Sequence, residues 1–198
     1  MLRRNIVTLA AAVPFTLLAT RAFAQEVAPT PATRPVEGAD ETGMGEAETT
    51  HAEQTGMIGS LSLLQSRLAV GKASNEKVKQ FAEWEVAEQE TIGDILKSMK
   101  MGMDDAQGAL LPPTDDEARA MAGADAESML TEMEALSGAE FDKAYVAANL
   151  EGHQKLLAVQ EDYLTAGTKR EHLLVAKLAR GQITEHIAHL EELQAALG

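Results

Sequence analysis

The chain has 198 residues and no cysteine, with 31 acidic against 17 basic side chains and a formal charge of −14. That excess of acid argues against nucleic acid or an anionic lipid surface as a partner. The absence of cysteine excludes disulfides, thiolate chemistry and a cysteine-linked amino-terminal lipid.

Residues 1–24 read as an export signal. Arg3 and Arg4 form a positive start, Ile6 to Thr20 is an apolar run too short for a comfortable span, and Ala22-Phe23-Ala24 is a small-residue cleavage site. The paired arginines fit an ordinary secretory signal and a twin-arginine signal alike. Cleavage after Ala24 removes three arginines and no acid, which leaves 14 basic against 31 acidic side chains, a formal charge of −17. No second long apolar run follows, so the mature chain is expected to lack a membrane span and to be periplasmic or secreted. Residues 25–48 are rich in Pro, Gly, Ala and acids without apolar periodicity, which predicts a disordered linker. Residues 49–198 are enough for one domain with a core of its own.

That domain reads as helix almost throughout, because Ala, Leu, Glu, Lys and Gln dominate and β-branched runs are missing. The predicted order is helix 50–71, helix 74–101, a break at Leu111-Pro112-Pro113, shorter helices within 115–136, helix 138–166 and helix 168–197. Thr50-x-x-Glu53, Ser137-x-x-Glu140 and Thr168-x-x-Glu171 have the pattern of capping boxes. Ser74 is a further candidate cap, and Gly138 and Gly167 suit helix ends. Four long helices with short connections predict an all-α, antiparallel four-helix bundle, with residues 102–136 as a long irregular crossover.

Turning about 100° per residue separates inward from outward side chains. In helix 74–101, Val78, Phe81, Ile92, Leu96 and Met99 mark the core arc, and Glu85 and Glu88 fall within it. In helix 138–166, Phe141, Tyr145, Leu156, Val159 and Tyr163 point inward, with Asp142, Asn149, His153 and Gln160 as a polar seam. In the last helix, His186 lies about 40° from the centre of the apolar arc and His189 about 100° away, at its boundary. His51 and His172, near helix starts, read as surface residues.

A lone buried carboxylate costs several kcal/mol unless it is paired, protonated, hydrated or bound to metal. Carboxylates and histidines on facing helices are the ingredients of bundle metal sites. The metal candidates are therefore Glu85, Glu88, His153 and His186. The Glu-x-x-His spacing of di-iron bundles is missing, so a single transition-metal ion is the form such a site would take. The competing reading is a hydrogen-bonded polar layer, to which Asp142, Tyr145 and Asn149 would belong. A second cluster, Met99, Met101 and Met103, offers thioethers suited to copper(I), or else simply fills gaps in the core. No cofactor is firmly indicated. No phosphate loop, nucleophile elbow or Ser-His-Asp arrangement appears, which points away from an enzyme.

Two stretches carry a family resemblance: "LAVGKASNEKVKQFAEWEVAEQ" (68–89) and "SGAEFDKAYVAANLEGHQKLL" (137–157), in which Phe141-Asp142-x-x-Tyr145 is followed by His153. With the His186-Ile187 pair and the signal-plus-linker layout, the chain resembles the bacterial exported family catalogued as domain of unknown function 4142. The resemblance implies a ferritin-like four-helix bundle in the bacterial envelope and no established activity. Glu88-Gln89 stands where the family usually has Asp-His, Gly181 stands in place of a usual proline, and Glu85 replaces a usually apolar residue. The resulting expectation is an exported, non-enzymatic bundle acting in envelope stress or as a binding module for an envelope partner. The alternatives are a single-metal carboxylate/histidine protein and, behind it, methionine-based copper(I) handling.

Overall fold

The computed structural model describes residues 44–101 and 108–198, all within the compact unit 35–198. The described residues are all-α. The helices are α1 (Glu46–Lys72), α2 (Glu76–Met101), α3 (Asp115–Ala122), α4 (Ala124–Ala135), α5 (Gly138–Ala166) and α6 (Arg170–Leu197). α1 and α2 form one hairpin, α5 and α6 another, and α1 packs along α5 between them. α3 and α4 occupy the described part of the expected irregular crossover, with α3 laid against α1. No helix among the described residues is long and apolar enough to cross a membrane.

Several helix ends differ from expectation for local reasons. α1 starts at Glu46 rather than residue 50, because the Glu48 carboxylate reaches back to the Gly45 N–H. Thr50 is thus inside the helix and caps nothing. α2 is capped by Asn75, whose Oδ1 accepts from the Lys77 N–H at 2.9 Å, and Ser74 instead donates to Asp142. Ser137 precedes α5 without a side-chain cap bond, and Gly138, expected at a helix end, opens α5 at φ +56. Thr168 bonds Glu48 and leaves Lys169 at the cap of α6. Thr114 and Glu117 form the capping box of α3, right after the Pro112-Pro113 break. Arg67 ties that break to α1 by bonding the Pro113 carbonyl, Asp115 and Glu90.

The buried stripes of α1 and α5 alternate steps of four and three residues, the spacing that lets helices interlock side by side. On α1 they are Glu48, Ala52, Thr55, Gly59, Ser62, Ser66 and Ala69, and on α5 Asp142, Val146, Asn149, His153, Leu156, Gln160 and Tyr163. Each residue of the first stripe lies 94 positions before its counterpart in the second. The correspondence extends to hydrogen bonding. Asp142 on α5 accepts from the Ser74 and Asn75 N–H groups in the α1–α2 link. Glu48 on α1 accepts from the Thr168 and Lys169 N–H groups, 94 positions further on, in the α5–α6 link. Each hairpin turn is thereby fastened by a carboxylate from the first helix of the other hairpin.

Apolar packing fills the space around these polar stripes. Phe81, Phe141, Tyr145, Val146, Leu190 and Leu193 form the largest cluster, which joins α2, α5 and α6. At about 25 cal/mol per Å² of apolar area removed from water, such side chains each contribute roughly 1.5–3 kcal/mol. The polar α1 stripe contributes less of this, but its small residues let neighbouring helices approach. At Gly59 a Cβ would collide with the Gln89 amide oxygen.

Candidate metal centre

Glu85 from α2, His153 from α5 and His186 from α6 meet in the bundle interior. Glu85 is fully buried, His153 is 1 % exposed, and the His186 side chain is 16 % exposed. Three atoms converge. His153 Nε2 lies 3.2 Å from Glu85 Oε2 and 3.2 Å from His186 Nδ1, and His186 Nδ1 lies 3.1 Å from Glu85 Oε2. Among the described residues, this is the one group of three or more His, Asp or Glu side chains with ligand atoms this close together.

Each member is oriented from behind. His153 Nδ1 donates to the Asn149 carbonyl, one helical turn back, at 2.7 Å. A carbonyl only accepts, so Nδ1 carries the proton and Nε2 of the neutral ring presents its lone pair. His186 turns its other nitrogen, Nε2, toward Glu88 Oε2 at 3.5 Å. Glu88 in turn accepts from the Gln182 amide at 3.2 Å. Glu85 Oε1 accepts from Ser62 Oγ at 2.6 Å and from the Gln89 amide at 3.0 Å, leaving Oε2 to face the histidines. Phe81 packs its ring against His153 and His186, with centroids 6.0 Å and 5.2 Å away.

Hydrogen bonds alone serve this triangle poorly. One extra proton on His153 Nε2 can point between Oε2 and His186 Nδ1, but it leaves those two atoms facing each other lone pair to lone pair. Protons on both facing ring nitrogens turn two N–H groups toward each other 3.2 Å apart. A single cation at the centre satisfies all three edges at once. The spacing also fits: two ligand atoms held about 2.1 Å from an ion, at angles between octahedral and tetrahedral, lie about 3.0–3.4 Å apart.

The electrostatics keep Glu85 ionised against a facing positive charge, which a proton on His153 or a bound cation supplies. Burial is the largest influence on Glu85 and works against its ionised form. The facing charge of His153 and the hydrogen bonds from His153, His186 and Ser62 outweigh it and hold the carboxyl well below the usual carboxylate range. Burial likewise disfavours a charged His153, but the Glu85 carboxylate and the Asn149 carbonyl raise its pKa overall. Glu88 is pushed up, by burial first, with the Glu85 charge adding and the His186 charge opposing.

The family described as "Domain of unknown function (DUF4142)" matches residues 33–193, most of the chain. The chain belongs to this family. No curated protein and no solved structure matches it. In this DUF4142 domain the most specific stretch of the resemblance, 137–157, becomes the first part of α5. It supplies Asp142 to the α1–α2 link, the Tyr145 hydroxyl to Ser66 at 2.8 Å, the Asn149 amide to the Tyr145 carbonyl at 3.2 Å, and His153 to the triangle.

Of the four metal candidates, the DUF4142 bundle brings Glu85, His153 and His186 to one point. It places Glu88 behind His186, on the ring nitrogen that faces away from the triangle. His189 stacks on Phe81 and edges onto Trp84 instead. In the copper alternative, Met99 is half-buried near the end of α2 and Met101 closes that helix, while Met103 lies outside the described residues.

His51 and His172, expected at the surface, are buried at 2 % and 3 % exposure. His51 Nε2 lies 2.8 Å from Gln160 Oε1, and its Nδ1 lies 3.1 Å from His172 Nδ1. α1 begins earlier than its cap pattern predicts, so His51 lies in its second turn, and His172 on α6 packs against it. Ser62 was missed because α1 buries small polar residues and so lacks the apolar stripe by which a core face is recognised.

Proposed function

We propose that this chain is an exported metal-binding helical bundle. It holds one divalent first-row transition ion on Glu85 Oε2, His153 Nε2 and His186 Nδ1. One observation carries the reading: three lone-pair atoms on three separate helices are mutually 3.1–3.2 Å apart, a triangle that protons cannot satisfy pairwise and a cation can.

Two imidazoles and a carboxylate suit zinc or ferrous iron better than the soft copper(I) ion. The Asn149 carbonyl acts behind the ligands, fixing the tautomer of His153, and the Glu88 carboxylate faces the far side of His186. Three protein ligands leave coordination positions for water or a small molecule. The His186–Glu88 edge, with side chains 16 % and 12 % exposed, is the route by which an ion would arrive. The 1–24 segment supports a periplasmic or secreted setting, where the protein captures or holds metal without carrying out catalysis.

Elemental analysis of protein purified from the periplasm, followed by cobalt(II) titration of the stripped protein, tests the reading. About one tightly held ion per chain is expected. It should be lost in Glu85→Gln and His186→Gln variants that keep their helical circular dichroism. Substoichiometric metal that these variants leave unchanged would sink the proposal.

A further inference from the structure

A groove of about 760 Å³ opens between α1, α4 and α5, on the far side of Ser62 and Asn149 from the metal triangle. Its walls are apolar and adaptable, with Met57, Leu61, Met129, Met133, Leu136 and Ala148 among them. Met57 and Met129 are 45 % and 48 % exposed at its mouth. Methionine walls repack around ligands of varied outline. A volume of this size, with apolar walls between a polar floor and a charged rim, has the character of a small-molecule site.

The floor holds a group that the fold does not use. Gln65 lines the groove and is only 4 % exposed, yet among the described residues no hydrogen bond engages its amide. No fully sealed side-chain nitrogen or oxygen among the described residues lacks a partner, so the Gln65 amide is not completely closed off. A buried amide with both donor and acceptor free is costly unless something else pairs with it. The rim carries Asp125, Glu132 and Glu151, with Lys155 already paired to Glu151 at 2.7 Å. This acidic rim repels carboxylate or sulfonate head groups.

We infer that the groove binds a compact, uncharged apolar molecule bearing one carbonyl or hydroxyl group, which pairs with the Gln65 amide. The floor residues Ser62 and Asn149 separate this ligand from Glu85 by one hydrogen-bonded layer. The site is independent of the metal reading, because none of its walls is a proposed metal ligand.

Nile red, a neutral dye with one carbonyl, serves as the probe, titrated into the metal-free mature protein. Saturable one-site binding with blue-shifted emission is expected. Gly152→Leu should weaken it at least tenfold: Gly152 lines the groove, and a Cβ there meets only the Ile58 side chain, at 3.9 Å, so the leucine grows into the ligand space. Met129→Glu should weaken it similarly. Leu178→Lys, which removes the most exposed large apolar residue among the described residues, at 70 % exposure on α6, should leave it unchanged. Gln65→Leu should weaken Nile red about fivefold and spare diphenylhexatriene, which has no carbonyl. Equal binding by wild type and the Gly152 and Met129 variants would overturn the inference. So would the absence of saturable binding together with a dimer that Met129→Glu dissociates, since the groove would then be an interface between two copies.

Discussion

Two buried clusters in this bundle are each made from one glutamate and two histidines. In the first, Glu85 turns one oxygen onto both His153 and His186. In the second, Glu48 lies near His51 and His172 but turns its carboxylate away from them. It accepts instead from the Tyr163 hydroxyl at 3.0 Å and from the backbone N–H groups of Gly45, Thr168 and Lys169. His51 stacks on the Tyr163 ring, donates through Nε2 to Gln160 and meets His172 through Nδ1. Every contact of the second cluster can be served by an ordinary proton, with His172 donating to His51. The same residue types make a turn fastener in one place and a set of converging lone pairs in the other. What differs is the supply of hydrogen-bond donors around the carboxylate.

The 94-residue correspondence between the hairpins sharpens the contrast. The positions matching Glu85, His153 and His186 in the other half are Ala179, Gly59 and Ile92. Ala179 there packs in an apolar cluster with Leu156 and Ile183. The carboxylate that fastens each turn is thus present in both halves, whereas the triangle is present in one. A layer that served packing alone would be met as well by the apolar version.

Exchanging carboxylate for amide at each glutamate should break the comparison. Glu85→Gln should cost at least about a hundredfold in cobalt(II) or zinc affinity, about 2.7 kcal/mol, with Glu48→Gln leaving that affinity unchanged by calorimetry. Glu48→Gln should instead lower stability to urea unfolding by about 2 kcal/mol, because it weakens several charge-assisted bonds at the α5–α6 link. Glu48 also has its pKa lowered to about 2. Burial is the largest influence and opposes this, but the N–H groups of Thr168 and Lys169 and the Tyr163 hydroxyl prevail. Its stabilisation is therefore present above about pH 4.5 and lost as pH falls toward about 2. An acid titration followed by circular dichroism should show a smaller loss of stability in Glu48→Gln than in wild type, the remainder coming from other depressed carboxyls such as Glu85.

Smaller effects refine the picture. Glu88→Gln should weaken metal binding about tenfold without abolishing it, as expected for a group that steers a ligand and does not touch the ion. If Glu88→Gln matched Glu85→Gln in its effect, Glu88 would be a ligand itself. The smallest effect belongs to the His51–His172 pair. Burial lowers both pKa values from 6.5, with the neighbouring His51 charge adding at His172 and with Gln160 and Glu48 opposing at His51. A depressed histidine is charged in the unfolded chain before the folded one, so stability falls as pH drops below about 6.5. His172→Gln should flatten that slope in metal-loaded protein, where His153 does not titrate.

The helices themselves were legible from residue types and spacing. Periodicity placed Glu85, His153 and Gln160 inward and His189 at a boundary, and each lies there. The Pro112-Pro113 break and the short helices after it were also visible. Less visible was α1, whose buried stripe of small and polar residues carries no apolar signal. The same gap hid Ser62, the hydroxyl behind Glu85, and it put Glu48 in a linker and His51 on the surface. Helix faces are local properties, set by the 100° turn from one residue to the next, so one strand of sequence determines them. Which inward residues share a level is not local. It depends on how far each helix slides along its neighbours, and that was decided by the two fastened turns, the Gly59–Gln89 approach and the apolar packing around Phe81. Only the assembled bundle brings Glu85 Oε2, His153 Nε2 and His186 Nδ1 to a common point, and sends Glu48, built from the same chemistry, to hold a turn.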